Sequence, residues 1–161
     1  MKRIPLTQGL YTLVDNEDYE YLNQWNWYAH KQGNTYYAKR TTSKDYKITI
    51  IHMHRVVLNI SEQEVLVDHK DRNGLNNQKY NLRTSNKSKN GMNRPAQKNN
   101  SSGYKGVGFD KSRNKWKAQI MIGQKNKFIG RFDTAIDAAH AYDKFALELF
   151  DDFAYLNFPQ D

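Results

Sequence analysis

Asp68 and His69 stand side by side in the stretch VDHKDRNGLNNQKYNLRTSNKSKN, residues 67–90, which is too polar to be a core segment. Hydrolysis of a phosphodiester needs a base that activates water and a cation that stabilises charge on the phosphate and the leaving oxygen. Histidine suits the base, and aspartate with an amide oxygen suits a hard divalent ion such as Mg²⁺. Because neighbours on a strand point to opposite faces, a ligand from another element, such as Asn90, is needed to complete a site.

The same stretch also has a plain structural interpretation. An adjacent Asp-His pair is most often a surface pair, and asparagine-rich loops are most often turns. Here the pair is combined with an Asx- and Gly-rich loop, an Asn-Leu step and a final asparagine, all inside a basic block. This combination favours a metal-dependent hydrolytic site.

The segments MHRVVLNI and VLVDHKDRNGLNNQKYNLRTSNKSKN resemble the HNH endonucleases of phage and homing elements, in which a β-hairpin and a helix clamp one metal ion. The resemblance implies that His69 is the general base and Asp68 the first metal ligand. Asn81, 12 residues after His69, matches the asparagine that holds the loop and fixes the base through the backbone. Asn90, nine residues further on, matches the second ligand on the helix. Many members have histidine at this position, which suits Zn²⁺. Because this chain has an asparagine, whose ligand atom is an oxygen, we expect Mg²⁺ or Mn²⁺ in preference to Zn²⁺.

Composition points to an acidic partner. The chain has 161 residues, a net charge of +8 and no cysteine, so disulfides, thiolate zinc sites and a cysteine nucleophile are excluded. Residues 65–94 carry seven basic and two acidic side chains, and residues 95–131 carry nine and one. Such blocks suit nucleic acid or an anionic membrane surface. No apolar run approaches the roughly 20 residues that span a bilayer, and no signal peptide is visible, so we expect a soluble, cytoplasmic protein that binds no membrane.

The sequence predicts an α+β fold with two modules. Residues 1–60 are expected to form a β-rich scaffold, with short strands in GLYTLVD, NWYAHK, TYYAKRT and YKITIIHMH and a short capped helix in DNEDYEYLNQW. Residues 61–94 are assigned to a ββα-metal nuclease module. A linker is predicted at 95–102, within the Pro-, Asn-, Ser- and Gly-rich stretch NRPAQKNNSSGYKG, and residues 103–161 form the second module.

Three strands and one helix are predicted after the linker. YKGVGFDK, KWKAQIMI and KFIGRFD are separated by turns, and DTAIDAAHAYDKFALELF follows them. Thr134 or Asp133 is expected to cap this helix. Its apolar positions recur at spacings of three and four: Ile136, Ala139, Tyr142, Ala146 and Leu149. A helix on one face of the sheet leaves the other face free, and most of the basic charge lies on the strands.

The second module carries the motifs Tyr-Lys-Gly-Val at 104–107, Lys-Trp-Lys-Ala at 115–118, Ile-Gly-x-Phe at 129–132 and Leu-Asn-Phe-Pro at 156–159. With these motifs it resembles the plant APETALA/ethylene-response-factor DNA-binding domain, whose three-stranded sheet lies in the major groove of double-stranded DNA. Met121 stands where arginine is common, so guanine recognition is expected to be weaker. The resemblance implies DNA contacts from Lys105, Gly106, Gln119, Met121 and Phe128.

Many basic residues are candidates for phosphate contacts, although any one of them is more often merely solvated. In and just before the nuclease module they are Arg55, Lys70, Arg72, Arg83, Lys87 and Lys89. In the sheet they are Lys111, Arg113, Lys115, Lys117, Lys125, Lys127 and Arg131. His52 and His54 form a His-x-His pattern that favours a structural role over a second metal site. His30 and His140 are interpreted as packing or surface residues.

These observations together predict a DNA endonuclease that works by a single-metal, histidine general-base mechanism. The HNH resemblance implies 5′-phosphate and 3′-hydroxyl products. No small-molecule cofactor is expected, and the sequence leaves open a nicking monomer or a dimer that cuts both strands. Two alternatives remain: a DNA-binding regulator that keeps the HNH frame without cleaving, and an RNA-binding or structural basic protein.

Overall fold

The computed structural model describes residues 1–97 and 99–159, apart from the side chains of residues 87–89. It is an α+β structure, and the strands of every described sheet pair antiparallel. The chain divides into two compact units, Met1–Asn86 and Lys87–Asp161. This division falls inside the segment 61–94 that we assigned to the nuclease module, and not in the predicted linker. No helix in the described part of the chain is long and apolar enough to cross a bilayer.

The first unit contains three small sheets, β1–β2, β3–β4–β5 and β6–β7. Its strands are β1 (Lys2–Pro5), β2 (Tyr11–Val14), β3 (Tyr28–Gln32), β4 (Thr35–Lys44), β5 (Lys47–His52), β6 (Leu66–His69) and β7 (Leu82–Ser85). Its helices are α1 (Asn16–Leu22) and α2 (Met53–Val57), with short 3-10 turns at Thr7–Gly9 and Lys79–Asn81. The predicted strands β2 to β5 are present, whereas β1 was not predicted. In β1 only Ile4 is buried, so the segment has little alternation to detect.

One core holds the first unit together. It consists of buried side chains from β1, β2, α1, β4 and α2 together with Trp27: Ile4, Val14, Leu22, Trp27, Ala38 and Met53. The predicted helix cap is absent, because the Asp15 carboxylate makes no capping bond. It accepts hydrogen bonds from Gln78 Nε2 at 3.0 Å and Lys79 N at 2.8 Å instead. The β-rich scaffold therefore binds the loop that precedes β7.

Strand β2 holds this loop through its backbone as well. Leu13 N donates to Leu75 O at 2.8 Å, and Asn77 N donates to Leu13 O at 2.8 Å. Residues 1–60 are thus part of the frame that positions the loop between β6 and β7, although their sequence alone pointed to no such role.

The second unit has a sheet of strand order β10–β9–β8 packed against one long helix. Its elements are α3 (Lys87–Met92), β8 (Val107–Asp110), β9 (Lys115–Ile122), β10 (Lys125–Phe132) and α4 (Ala135–Phe150), followed by a 3-10 turn at Asp151–Phe153. This arrangement confirms the predicted three-stranded sheet on a helix. Thr134 caps α4, since its side chain accepts from Asp137 N at 3.1 Å.

The buried stripe of α4 differs from the predicted one at its two ends. Ile136 is 51% exposed and Leu149 is 42% exposed, so these two apolar positions lie outside the buried stripe. The helix packs on the sheet through small side chains and one tyrosine, which bring its backbone close to the strands. The buried apolar residues are Ala138, Ala139, Tyr142 and Ala146.

A buried carboxylate holds the C-terminal segment of the second unit in place. Asp143 is 7% exposed, and its Oδ1 accepts from Asn157 N at 2.9 Å and Asn157 Nδ2 at 3.0 Å. Its Oδ2 accepts from Phe158 N at 2.8 Å. Asn157 Oδ1 in turn accepts from Lys105 N at 2.7 Å. The closing Leu-Asn-Phe-Pro segment is therefore tied both to α4 and to the chain that leads into β8.

Candidate active site and nucleic-acid interface

The loop 70–81, which joins β6 to β7, is organised around Asp71. Its Oδ1 accepts from Asn73 N at 2.8 Å and Asn81 Nδ2 at 2.9 Å. Its Oδ2 accepts from Asn76 Nδ2 at 2.8 Å. Asx side chains that bind the backbone two residues on form local turns. The asparagine-rich sequence therefore encodes a fixed loop, and Asp71, which we did not single out, is its centre.

Asn81 fixes the backbone next to His69. It is 1% exposed, and its side chain donates to Asn76 O at 2.8 Å and accepts from Asp71 N at 3.0 Å. Its carbonyl oxygen accepts from Lys70 N at 2.8 Å. The HNH resemblance implies this kind of loop-holding contact; its importance for catalysis stays a prediction.

His69 ends β6 and is 5% exposed. Its Nε2 lies 3.4 Å from Asn77 Oδ1, and Asn77 Nδ2 donates to Thr12 Oγ1 at 2.7 Å. Thr12 Oγ1 in turn lies 2.7 Å from Leu75 O. Thr12 and Asn77 are both fully buried, at 0% exposure. The imidazole is thus the end of a buried polar chain that reaches β2.

The donor and acceptor in each of these hydrogen bonds follow from the number of protons available. A threonine hydroxyl has one proton, which is used on the Leu75 carbonyl, so the hydroxyl oxygen must accept from the amide nitrogen of Asn77. The oxygen of Asn77 then faces His69, which places the N–H of the neutral imidazole at Nε2 and the lone pair at Nδ1. Neither Thr12 nor Asn77 was predicted as a site residue. Asn77 lies in the quoted loop, whereas Thr12 is 65 residues away and carries no local signal.

Two aromatic rings also contact His69. The ring of Tyr37 lies edge-on at 5.7 Å between centroids and that of His54 at 5.4 Å. His52 lies 5.1 Å from His54. The His-x-His pair therefore packs beside His69. In the described residues no cluster of three or more His, Cys, Asp or Glu side chains has the arrangement of a metal site.

Burial keeps these imidazoles neutral. It lowers the pKa of His54 to about 3 and that of His52 to about 4, with nearby positive charge as a further cause. Burial also lowers the pKa of His69, opposed by its hydrogen bond to Asn77 and by the charges of Asp71 and Asp68. A neutral imidazole at neutral pH is the form that can accept a proton.

Asp68 stands opposite Arg83 in the register of β6 and β7. Its Oδ2 accepts from Arg83 Nε at 2.9 Å and from Nη2 at 2.6 Å, and the two side chains are only 13% and 10% exposed. Arg83 is therefore bound to Asp68, and its contact with phosphate stays a prediction. Asp68 and His69 have different neighbours, as adjacent strand residues should.

Asn90 lies on α3 in the second unit, so its position is described apart from Asp68 and His69. Its Oδ1 is buried and has no hydrogen-bond partner among the described residues. An amide oxygen left without a donor is a suitable ligand for a hard cation, as is a carboxylate. In donor type, Asp68 and Asn90 therefore fit a divalent ion such as Mg²⁺ or Mn²⁺.

The other predicted phosphate contacts of this region divide into three groups. Arg55 binds the backbone instead, donating through Nη1 to Val65 O at 2.8 Å and through Nη2 to Glu62 O. Arg55 thus holds the loop before β6, and its contact with phosphate stays a prediction. Lys70 and Arg72 are exposed on the loop 70–81. The side chains of Lys87 and Lys89 lie outside the described residues.

The open face of the second unit's sheet is identified by its register. Ala118 and Ile120 are buried against α4, so their alternating neighbours on β9 face away from the helix. Lys117 pairs with Arg131, and Gln119 pairs with Phe128. Of the predicted contacts, the open face carries Lys115, Lys117, Gln119, Met121, Phe128 and Arg131. Lys111 and Arg113 are exposed in the turn between β8 and β9.

Four predicted contacts lie elsewhere. A β-bulge between Phe128 and Gly130 shifts the register of β10, so Lys127 pairs with Ile120 on the helix side. There the Lys127 ammonium lies 5.1 Å from the centre of the Phe145 ring. Lys125 alternates with Lys127 and is on the same side. Both side chains therefore lie on the helix side of the sheet and not on its open face.

Lys105 and Gly106 serve the fold of the second unit. The Lys105 ammonium donates to Met92 O and lies 5.4 Å from the centre of the Tyr155 ring. Gly106 has φ +75°, and a β-carbon built on it would clash with the Tyr142 ring. Only glycine fits so close to the ring, which explains this position without DNA.

Ion pairs reduce the charge that the open face presents. Arg131 Nε donates to Asp110 Oδ2 at 2.9 Å, and Lys115 pairs with Asp133. Hydrogen bonds from Ser112 and Arg131 hold the pKa of Asp110 at about 2, so this carboxylate stays ionised. Within the described residues, Lys117 has no ion-pair partner. It is the cation at the middle of the face best able to meet a phosphate.

Comparison with known proteins bears on the second unit. No solved structure matches the chain. Residues 102–151 match the model of the AP2 domain, a range that includes β8, β9, β10 and nearly all of α4. The match agrees with the observed sheet on a helix and with the basic open face. The second unit therefore contains an AP2 domain, and this part of the chain binds DNA.

Proposed function

We propose that this protein is a metal-dependent DNA endonuclease of the HNH type, brought to DNA by its AP2 domain. The observation that carries the proposal is the surrounding of His69. His69 is a buried histidine at the end of a strand, next to the carboxylate of Asp68. The loop that follows it is held by Asp71 and Asn81, and Asn77 orients its ring. A surface Asp-His pair in an ordinary turn has no need of such a buried polar frame.

The chain's own residues supply the base. With its N–H at Nε2 directed to Asn77, the neutral His69 takes a proton from the attacking water at Nδ1. The lowered pKa of His69 keeps this nitrogen unprotonated at neutral pH. Asn81 holds the backbone on the C-terminal side of His69, so the ring does not have to be ordered when substrate arrives.

Asp68 would hold the divalent ion, with Asn90 as the second ligand that the HNH resemblance implies. The bound ion would stabilise negative charge on the phosphate and on the leaving 3′ oxygen. Lys70 and Arg72 are exposed on the loop beside this site and are suited to contact flanking phosphates.

A supercoiled-plasmid assay tests the proposal. Wild type with Mg²⁺ should nick or linearise the plasmid, and EDTA should stop the reaction. His69→Ala should abolish cleavage, whereas His30→Ala, which removes an exposed histidine of the same unit, should not. Binding of all variants is followed in EDTA by gel shift. Cleavage that survives in His69→Ala would exclude this residue as the base.

A DNA-binding regulator without cleavage activity is the second candidate. The ion pair between Asp68 and Arg83 favours it, because the guanidinium binds a carboxylate oxygen that a metal ion would need. A plasmid that shifts on the gel but is never cut, even within a library of random target sites, would support this candidate over the nuclease.

A further inference from the structure

Strands β4 and β5 extend beyond the sheet that contains them. Strand β3 pairs with β4 only from Thr35 to Lys39, whereas β5 pairs with it out to Lys44. Residues 41–50 are therefore a two-stranded ribbon, here named the β4–β5 arm, and all ten are exposed. At about 3.4 Å per residue, its four-residue strands give it a length of roughly 14 Å.

The end of the arm is positively charged. Lys44 and Lys47 are directly paired across the two strands, and Asp45 in the turn is the one acidic residue among them. Like charges placed directly opposite each other destabilise a β-ladder. An anionic partner removes this repulsion. The hydroxyls of Thr42 and Thr49, the next pair on the same face, add further hydrogen-bonding groups for such a partner.

An aromatic side chain occupies the tip. Tyr46 is fully exposed, at 106%, and has φ +60°, while Asp45 before it has φ +50°. Two successive positive φ values are those of a type I′ turn, which favours Asn-Gly. A bulky residue at such a position is strained, and strain of this kind tends to be kept where a side chain makes a contact outside the fold.

The other face of the arm is apolar. Ile48 is 73% exposed and Ile50 is 54% exposed, and both point to the same side because they are two residues apart. Their cross-strand partners are Ser43 and Thr41. The arm thus combines a basic face with a face of methyl and hydroxyl groups.

We propose that the β4–β5 arm inserts into the major groove of duplex DNA, as a contact of the first unit that is additional to the AP2 sheet. The groove, about 12 Å wide and about 8.5 Å deep, admits a two-stranded β-ribbon. Lys44 and Lys47 meet phosphates or guanine edges, and the isoleucines meet thymine methyl groups. The arm requires no cleavage activity, so it is independent of the nuclease proposal.

The test uses the full chain in EDTA, so that cleavage does not intervene. Binding to a random-sequence duplex is measured by fluorescence anisotropy over a range of salt concentrations. Lys44→Ala/Lys47→Ala is compared with Lys31→Ala/Lys144→Ala, which removes the same charge from exposed positions outside the arm. The arm variant should bind about tenfold more weakly, with a salt slope shallower by up to about 1.8, and the control should resemble wild type.

Tyr46 supplies a second, direct measurement. A photo-cross-linking amino acid at position 46 should cross-link to DNA. Tyr46→Gly should weaken DNA binding while leaving the protein at least as stable, since glycine accepts the positive φ. Arm variants that bind DNA like the control, or cross-links to a second copy of the chain in place of DNA, would overturn the proposal. The latter outcome would make the Ile48–Ile50 face a self-association surface.

Discussion

Asn77 presents its side-chain oxygen 3.4 Å from Nε2 of His69, while its own amide nitrogen is held 2.7 Å from the hydroxyl of Thr12. Removing the hydroxyl should therefore change the imidazole at a distance. In Thr12→Val the Asn77 amide is free to turn over, so the preference for an N–H at Nε2 is lost. We expect cleavage to fall by at least about tenfold with DNA binding unchanged.

A matched variant separates the loss of the Thr12 hydroxyl, which orients His69, from a general change in packing around Thr12. Thr12→Ser keeps the hydroxyl and should retain both the wild-type rate and the Nε2–H tautomer of His69, read from ¹⁵N chemical shifts of labelled histidine. The tautomer is measured without substrate, so it is informative even for an inactive protein. If His69 keeps the wild-type tautomer in Thr12→Val, the hydrogen bonds from Thr12 through Asn77 do not orient the imidazole.

The sequence was most informative where structure is local. Strand alternation and the helical spacing of α4 depend on neighbours in the chain, and Thr134, one of the two caps predicted, is the one observed. The turns around Asp71 also arise from nearby asparagines. The contact between Thr12 and Asn77 joins residues 65 apart, and nothing near Thr12 distinguishes it from any strand threonine.

The basic residues show more clearly what a sequence pattern cannot predict. The sequence does not show whether a lysine or arginine side chain contacts solvent, a carbonyl oxygen or a carboxylate. Arg55 binds two backbone oxygens and Arg83 binds Asp68, which only the three-dimensional arrangement reveals. On β10, alternation alone would set Lys127 and Arg131 on one face. The bulge at 128–130 adds a residue and sends them to opposite faces.

This bulge yields a prediction for DNA binding. Lys117→Ala removes a cation from the middle of the open face and should make the salt slope shallower by about 0.9. Lys127→Ala removes the same charge from the helix side and should leave the slope unchanged. The comparison is made by anisotropy titrations of duplex DNA with the 161-residue chain. Equal effects of the two substitutions would mean that the sheet does not meet DNA through this face.

Gly106 and Gly108 offer a matched test of packing in the second unit. A β-carbon on Gly106 meets the Tyr142 ring and the carbonyl of Gln119 at 2.6 Å, and φ is +75°. Gly106→Ala should therefore lower the free energy of unfolding by roughly 3 kcal/mol, from backbone strain and overpacking together. Nothing lies within 4 Å of a β-carbon on Gly108. Gly108→Ala should change stability by less than about 1 kcal/mol, as measured by thermal unfolding.

Burial of His54 should make the first unit sensitive to acid. The imidazole is 9% exposed, and its pKa is lowered to about 3, first by burial and then by the nearby basic groups His69, His52, Arg55 and Lys39. Below about pH 6.5 the unfolded chain binds a proton at this histidine while the folded chain does not. Stability should therefore fall as the pH drops from about 6.5 towards 3, by up to about 1.4 kcal/mol per pH unit from this group.

Replacement of the ring identifies the responsible group. His54→Phe keeps an aromatic ring beside Tyr37 and His69 but takes up no proton in either state, so the slope of stability against pH should become shallower. Urea unfolding is followed through the buried Trp27 in a Trp116→Phe background, which restricts the signal to the first unit. His30→Phe removes an exposed histidine and is the control. A His54→Phe protein that loses stability with acid as steeply as wild type would place the sensitivity in other groups, such as His52.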